Sequence, residues 1–371
     1  MEGVYKIPAY DFLKSRGCNF IVGEGMEPSA TLTHDFGDVV AEARAIRLHA
    51  VGWDVGSTHS FEWKGPDAAV ALQRVVSNDV IGCAPGRGRY GALLDDQGNV
   101  IVDPIAFKFS NQHFLVTTGY GGYLDWYREA AKNLDVDIQF TTPDYPHVQV
   151  QGPKSREILQ GLTSFDMDSL KWFQFTCERV EVAGCRVYIS RTGPTAELGF
   201  ELFYYPDDAE KLWLALIEAG VTPTGLGSIL LIKPELGAIC LGIDFEPGLR
   251  TPYDLGSDRC VAVAKPVELA GKDRLTEIAT NTPNRFGTVT FDGPGDDLPE
   301  WGSSIFVQGK NVGVLTQCRP TPDFGCLGQG IIQSRFADEG TRLEIPSGEN
   351  SYMATVTRTP LYDPERKRVR S

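Results

Sequence analysis

A strand-like segment, a Gly-Pro turn and a helix follow one another in that order twice in this 371-residue chain. Residues 58–64 alternate loosely and read as a strand, Gly65-Pro66-Asp67 ends it, and a helix begins over Ala68 to Val76. Val148-Gln149-Val150-Gln151 is the second strand-like run, with Gly152-Pro153-Lys154-Ser155 behind it and a helix over Arg156 to Leu162. A unit used twice points to a pseudo-repeated α+β scaffold, although two copies alone lie within the reach of chance.

Between the copies, Arg89 to Leu94, Val100 to Phe109 and His113 to Thr118 read as strands joined by the hairpin turns Asp95–Asn99 and Ser110–Gln112. Helices are expected over Asp38–Leu48, with Val39, Val40, Ala43, Ile46 and Leu48 inward, over Tyr123–Leu134, and over Asp207–Ala219. Leu226–Leu236 has mixed character and is broken by Pro234. From Phe286 onward short strands alternate with Gly/Pro turns, the texture of a small β-barrel or sandwich. The chain therefore divides into 1–280, two α+β lobes, and 281–371, a C-terminal barrel. The basic run Arg366–Arg370 reads as a solvated end, or else as an anion contact.

The net charge of −14 argues against nucleic acid or an anionic membrane as partner. No apolar run approaches the ~20 residues of a membrane span. The first residues lack the basic and apolar regions of a signal peptide. Eight scattered cysteines without a C-x-x-C pair, beside five histidines, give no metal site and fit reduced thiols in the cytoplasm. The Gly23-Glu24-Gly25 turn lacks the strand–glycine–helix context of a dinucleotide fingerprint.

Two stretches can carry chemistry. Ser190 to Phe203 runs from one strand, through a turn holding Gly193, Pro194 and Gly199, into another. Glu201 at a strand start offers two acceptor oxygens side by side, which suits a flat heterocycle edge with two N–H donors, such as a pterin or guanine. A hairpin with a solvated glutamate is the plainer alternative. In Val100-Ile101-Val102-Asp103-Pro104-Ile105 a carboxylate interrupts an apolar strand. Burying Asp103 costs free energy unless it is paired or used, and desolvation would raise its pKa toward the range of a proton carrier. A backbone-satisfied Asp at a bulge is the alternative.

These residues also carry a resemblance. Ser190-Arg191-Thr192-Gly193 with Glu197-Leu198-Gly199-Phe200-Glu201 resembles the signature of the glycine-cleavage T-protein family, the folate-dependent aminomethyltransferases. Asp95-Asp96-Gln97-Gly98-Asn99 with Asp103, Lys233-Pro234-Glu235-Leu236-Gly237, and Gly313-Val314-Leu315-Thr316 resemble its other motifs, in family order. The resemblance implies a three-lobed fold around tetrahydrofolate. It places Asp103 at the catalytic aspartate and Glu201 at the glutamate that holds the pterin. Tyr90, Thr58 and Thr117 fall at folate-lining positions, Tyr90 with a possible hydrogen-bonding part in catalysis, and Lys233 falls near the folate carboxylates.

Departures from the family pattern point to its demethylase branch. The signature tyrosine is Pro194, the methionine after the first strand is Thr58, and the arginine is Lys233. The implied function is transfer of a one-carbon group from a small methylated donor, such as a methoxy-aromatic, to N5 of tetrahydrofolate. Aminomethyl transfer or N-demethylation of an amine is the runner-up, and a non-catalytic folate-binding module is a third reading. An acidic lipoyl carrier protein would be repelled by the −14 charge and is not expected as a partner.

Overall fold

Both Gly-Pro turns rest on a glycine that a larger residue could not replace. Gly65 has φ +145°, and a Cβ there would lie 2.4 Å from the Asp135 carbonyl oxygen. Gly152 has φ +122°, and a Cβ there would lie 2.3 Å from the His49 carbonyl oxygen. In both copies a strand ends where backbone meets backbone, and the helix starts directly afterwards. The computed structural model describes residues 3–23, 28–119, 123–293 and 297–371. Glu24 and Gly25 of the glycine turn, with Met1 and Glu2, lie outside the described residues.

The chain forms two compact units, the first made of residues 1–91, 103–229 and 366–371, the second of 92–102 and 230–365. Grouped this way, residues 92–102 and 230–280 join the barrel instead of the segments before it. The α+β class and the C-terminal barrel are as the sequence implies.

The first unit holds the two-stranded pair Asn19–Val22 and Thr31–Asp35 and two larger sheets. One is antiparallel, with strands in the order Asp137–Phe140, His59–Lys64, His113–Thr118, Ile105–Ser110 and Arg87–Tyr90. Phe61 and Trp63 set their rings edge-on against Tyr127 of the helix Leu124–Ala130, at 5.0 and 5.1 Å. The other sheet runs Val180–Val182, Cys185–Ser190, Gly199–Phe203, His147–Gln151, Val51–Asp54 and Thr222–Thr224. Only its last pair is parallel. Its Val148, Val150, Ile189, Phe200 and Leu202 bury one face against Leu212, Trp213 and Leu216 of the helix Ala209–Glu218. Alternate residues of a strand point to opposite faces, so the residues between these apolar ones share the other face.

The helix Val39–Leu48 is capped by Asp38, whose carboxylate accepts from the Val40 and Ala41 amides. Val40 and Leu48, expected inward, are exposed, while Glu42 is buried and accepts from Thr224 and the Phe36 amide. A buried acid with two donors took a position that apolar counting alone gives to valine. The helix expected to reach Leu134 ends at Ala130.

In the second unit the barrel closes in the order Asn284–Phe291, Gly325–Gln333, Lys310–Thr321, Ser304–Val307, Arg342–Ser347 and Asn350–Thr357. Val289, Ile305, Leu315, Ile332, Leu343 and Ile345 fill it. Leu94, Val100, Leu275, Phe286 and Ile331 form a second core beside it. Pro234 does not break the helix Leu226–Leu236. A helical proline leaves the carbonyl four residues earlier without its N–H partner. Here that carbonyl, Leu230 O, accepts from Arg319 Nη1 at 3.0 Å.

Candidate active site

The strand Gly199–Phe203 is buried along its whole length. Phe200 and Leu202 face the apolar core, so Gly199, Glu201 and Phe203 face the other way. Register places Gln149 and Ser190 on either side of Glu201, with His147 opposite Phe203 and Gln151 opposite Gly199. A row of polar side chains is thus buried on the second sheet. Phe203 on this face meets Phe107 of the first sheet at 5.6 Å, and Tyr188 meets Phe109 at 5.3 Å. Tyr145 O–H donates to Glu62 Oε1 at 3.0 Å. The polar row therefore looks into the layer between the two sheets.

Glu201 is 3% exposed. Burial pushes its carboxyl up to about 7, against hydrogen bonds from Thr192 and Gln149 that pull it down. Gln149 Nε2 donates to Oε1 at 3.3 Å, and His147 Nε2 lies 3.7 Å from Oε2. Burial pushes His147 down to about 4, so the imidazole is neutral near pH 7 and brings no positive charge to the glutamate. Its ring stacks on Phe203 at 4.4 Å. The buried Gln149 Oε1 has no hydrogen-bond partner among the described residues.

The turn before Glu201 is held from beneath by Gln151. A Cβ on Gly193 or Gly199 would fall 2.0 or 2.1 Å from Gln151 Oε1. That amide donates to Thr192 O at 3.1 Å and accepts from Thr195 Oγ1 at 3.0 Å. Glu197 is 2% exposed and faces arginines, Arg47 at 3.6 Å and Arg368 at 3.5 Å, so it belongs to the scaffold of the turn. The basic tail is docked at Val369, while Lys367, Arg368 and Arg370 stay exposed. Val369 is buried, Arg191 donates to Val369 O at 3.4 Å and to Ser371 O, Arg156 donates to Ser371 O at 2.7 Å, and Arg370 lies over the Trp172 ring. Arg368 provides an anion contact at Glu197.

Asp103 sits at a break between strands and not within one. Val100–Val102 pairs with Leu93–Leu94, while Ile105–Ser110 enters the first sheet, and Pro104 between them has no N–H for either ladder. Tyr90 O–H donates to Asp103 Oδ2 at 2.9 Å. Burial pushes the carboxyl up to about 6, with the Tyr90 bond opposing. The residue keeps a partly exposed face although protein crowds its carboxyl. Tyr123, pushed up to about 12 by burial, also feels the Asp103 charge. Tyr90, Ile105, Thr117 and Ser60 form one row across the first sheet. The next row on that face contains Phe107 and Leu115, which pack with Phe203. Tyr90 and Thr117 on one sheet, with Asp103 bonded to Tyr90 at its edge, and Glu201 on the other thus border one interlayer. Thr58 lies on the bend that leads from the second sheet into His59–Lys64.

Lys233 belongs to the second unit. Its buried ammonium lies 2.5 Å from Asp244 Oδ2 and donates to Gln329 Oε1 at 2.6 Å. Burial lowers its pKa, and the Asp244 charge opposes that. Sequence reasoning singled out neither Gln149 nor His147 as a site residue. The alternation His-Val-Gln-Val-Gln was the available signal, because its polar positions share a face with Glu201. Among the described residues no cluster of His, Cys, Asp and Glu could hold a metal ion. No helix there is long and apolar enough to cross a membrane.

Residues 9–265 match the GCVT N-terminal domain, and residues 285–363 match the glycine cleavage T-protein C-terminal barrel domain. An aminomethyltransferase from Lysinibacillus sphaericus is 31% identical over 336 residues, covering 88% of this chain and 90% of that relative. One from Bacillus subtilis is 30% identical over 365 residues, covering 96% and 99%. The crystal structure of glycine cleavage system aminomethyltransferase T from Bartonella henselae shares the fold, with a TM-score of 0.85 at 19% identity over 97% of this chain and 98% of that one.

Proposed function

The chain belongs to the glycine-cleavage T-protein family and is a one-carbon transferase; we propose that it moves a one-carbon group from a small methylated donor to tetrahydrofolate. The observation that carries this reading is the pair Glu201 and Gln149. Together they present buried acceptor oxygens, of which Gln149 Oε1 has no partner among the described residues. Such a pair fits the edge of an amino-pyrimidinone ring, which offers adjacent N–H donors. When bound, tetrahydrofolate supplies a nucleophilic amine nitrogen, N5, that takes up the one-carbon group.

The protein's own residues then have separate tasks. Glu201 holds the ring edge and fixes its orientation. Asp103 holds or releases one proton near neutral pH, because its carboxyl titrates at about 6. Tyr90 holds Oδ2 of that carboxyl and orients it. Thr117 and Thr58 line the interlayer, and Phe107 and Phe203 keep water from it. We assign this work to a catalytic region, 1–280, and leave 281–371 as its barrel partner. Lys233, tied to Asp244 and Gln329, serves the second unit's core rather than a ligand.

The donor is read from the departures Pro194, Thr58 and Lys233, which favour a methylated small molecule, a methoxy-aromatic included. A methylated oxygen leaving its carbon needs a proton, and Asp103 is the group placed to manage it. Aminomethyl transfer is the second reading, favoured by the names of the relatives at 31% and 30% identity. Family members usually work with a lipoyl carrier protein, and the charge of −14 opposes that encounter when the carrier is acidic. The test is to incubate the protein with tetrahydrofolate and either methoxy-aromatic donors or an aminomethyl-loaded lipoyl carrier. Formation of 5-methyl-tetrahydrofolate from the first supports the proposal. Formation of 5,10-methylene-tetrahydrofolate from the second alone overturns it in favour of aminomethyl transfer.

A further inference from the structure

Gln149 stands out among the buried polar residues of the second sheet. It lies directly opposite Glu201 in the strand register, is 9% exposed, and shares the face that looks into the interlayer. One end of its carboxamide is engaged, with Nε2 donating to Glu201 Oε1 at 3.3 Å. The other end, Oε1, is buried and has no partner among the described residues. The opposite amide orientation would set two oxygens against each other at that distance, so the assignment follows from the bonding itself. The other interior amide on the strand is used differently: Gln151 spends both its ends on the turn below the glutamate.

An unpaired carbonyl oxygen costs free energy when buried, and that cost is recovered when an N–H reaches it. Glu201 and Gln149, side by side in the register, offer three acceptor oxygens between them. Two belong to the carboxylate and one to the amide. A carboxylate alone satisfies two adjacent N–H groups. A third acceptor reads a further hydrogen on the same side of the ring, as an exocyclic amino group with two hydrogens supplies.

We propose that Gln149 is a specificity residue of the ring-holding site, whose Oε1 accepts the second hydrogen of an exocyclic 2-amino group while Glu201 takes the first. The inference rests on the tetrahydrofolate reading above and adds to it a residue and an atom of the ligand. It makes the site selective for 2-amino-4-oxo-pyrimidine rings over rings that lack the amine. Gln149 is also the donor that holds Glu201 Oε1, so a purely positioning role has to be separated from ligand reading.

Calorimetry separates them. The full-length protein, Gln149→Met and Gln149→Asn are each titrated with tetrahydrofolate and with its 2-deamino analogue. Loss of one hydrogen bond from a buried acceptor should weaken tetrahydrofolate binding by about tenfold or more in Gln149→Met. Affinity for the 2-deamino analogue should change by less than about twofold, because that ligand never used the oxygen. Gln149→Asn, which keeps a polar group and the fold but withdraws the oxygen by one carbon, should show the same ligand-dependent loss. An equal loss for both ligands in both variants overturns the proposal and leaves Gln149 as a support for Glu201. Unchanged affinity for both ligands also overturns it. If the unsubstituted protein binds neither ligand, the tetrahydrofolate reading itself falls, and this inference falls with it.

Discussion

Removing one oxygen atom, by Tyr90→Phe, tests the chemistry assigned to Asp103. The Tyr90 hydroxyl donates to Oδ2 at 2.9 Å, and that bond opposes the burial that raises the carboxyl to about 6. A hydrogen bond to a charged group contributes about 1.5–3 kcal/mol. With about 1.4 kcal/mol per pKa unit, its loss should move Asp103 up by about one to two units, to roughly pH 7–8. The Tyr90 carbonyl still accepts from Asn78, so the backbone should stay in place. The assay is the pH dependence of kcat/KM for one-carbon transfer, in the unsubstituted protein and in Tyr90→Phe. Whichever protonation state of Asp103 carries the reaction, one limb should have its midpoint near 6 and should shift upward in the variant. A limb that does not move, or one that survives in Asp103→Asn, would refute the assignment.

Four further outcomes follow from the same distances. Asp103 has a folded pKa of about 6 against 3.8 unfolded, so ionising it in the fold costs stability as pH rises through that window, up to about 3 kcal/mol above pH 6. Asp103→Asn should therefore abolish transfer yet raise the melting temperature at pH 7.5, with the gain shrinking toward pH 4. Glu201, raised to about 7, accepts ligand N–H groups best when ionised, so tetrahydrofolate affinity should fall about tenfold per unit below pH 7 and level off above it. Glu201→Gln should flatten that profile in calorimetry. Gly199→Ala drives a Cβ into the Gln151 amide and should cost about 1–3 kcal/mol in urea unfolding, with weaker ligand binding. Lys233→Met strands the buried Asp244 and should cost about 3–5 kcal/mol; adding Asp244→Asn should recover part of it, and a cost below about 1 kcal/mol would show that the pair is not buried as described.

Much of the first unit's interior was legible in local sequence. Gly65 and Gly152 mark their turns because close backbone approach is a local demand, and the neighbouring Pro sets the helix start. Asp103-Pro104 is visible as a polar break in an apolar run for the same reason. What escaped depended on distant partners. Pro234 reads as a breaker, since nothing nearby announces that Arg319 will satisfy Leu230 O. The tail reads as a solvated charge run, since its docking uses main-chain oxygens at Val369 and Ser371 that no charge count reveals. Val40 is exposed and Glu42 buried because Thr224, from a strand far along the chain, supplies the donor. Gln149 lay in plain alternation with Val148 and Val150, but a period of two does not say which face will meet a second sheet.

The two carboxylates of the interlayer show why burial alone does not assign roles. Both are raised by desolvation, Asp103 to about 6 and Glu201 to about 7. They differ in what the protein offers them. Asp103 receives a tyrosine hydroxyl at 2.9 Å, which fixes one oxygen and leaves a group that changes charge just below neutral pH. Glu201 receives a bond from Thr192 and a longer one from the Gln149 amide at 3.3 Å, and it faces a histidine too weakly basic to be charged at pH 7. Its stabilisation as an anion is incomplete in the protein alone, and a ligand with N–H donors completes it. Asp103 has one oxygen fixed by a tyrosine hydroxyl at a break between strands, whereas Glu201 lies beside an amide whose oxygen has no partner among the described residues. On that ground we propose Asp103 as the proton carrier and Glu201 as the anchor of the ring edge.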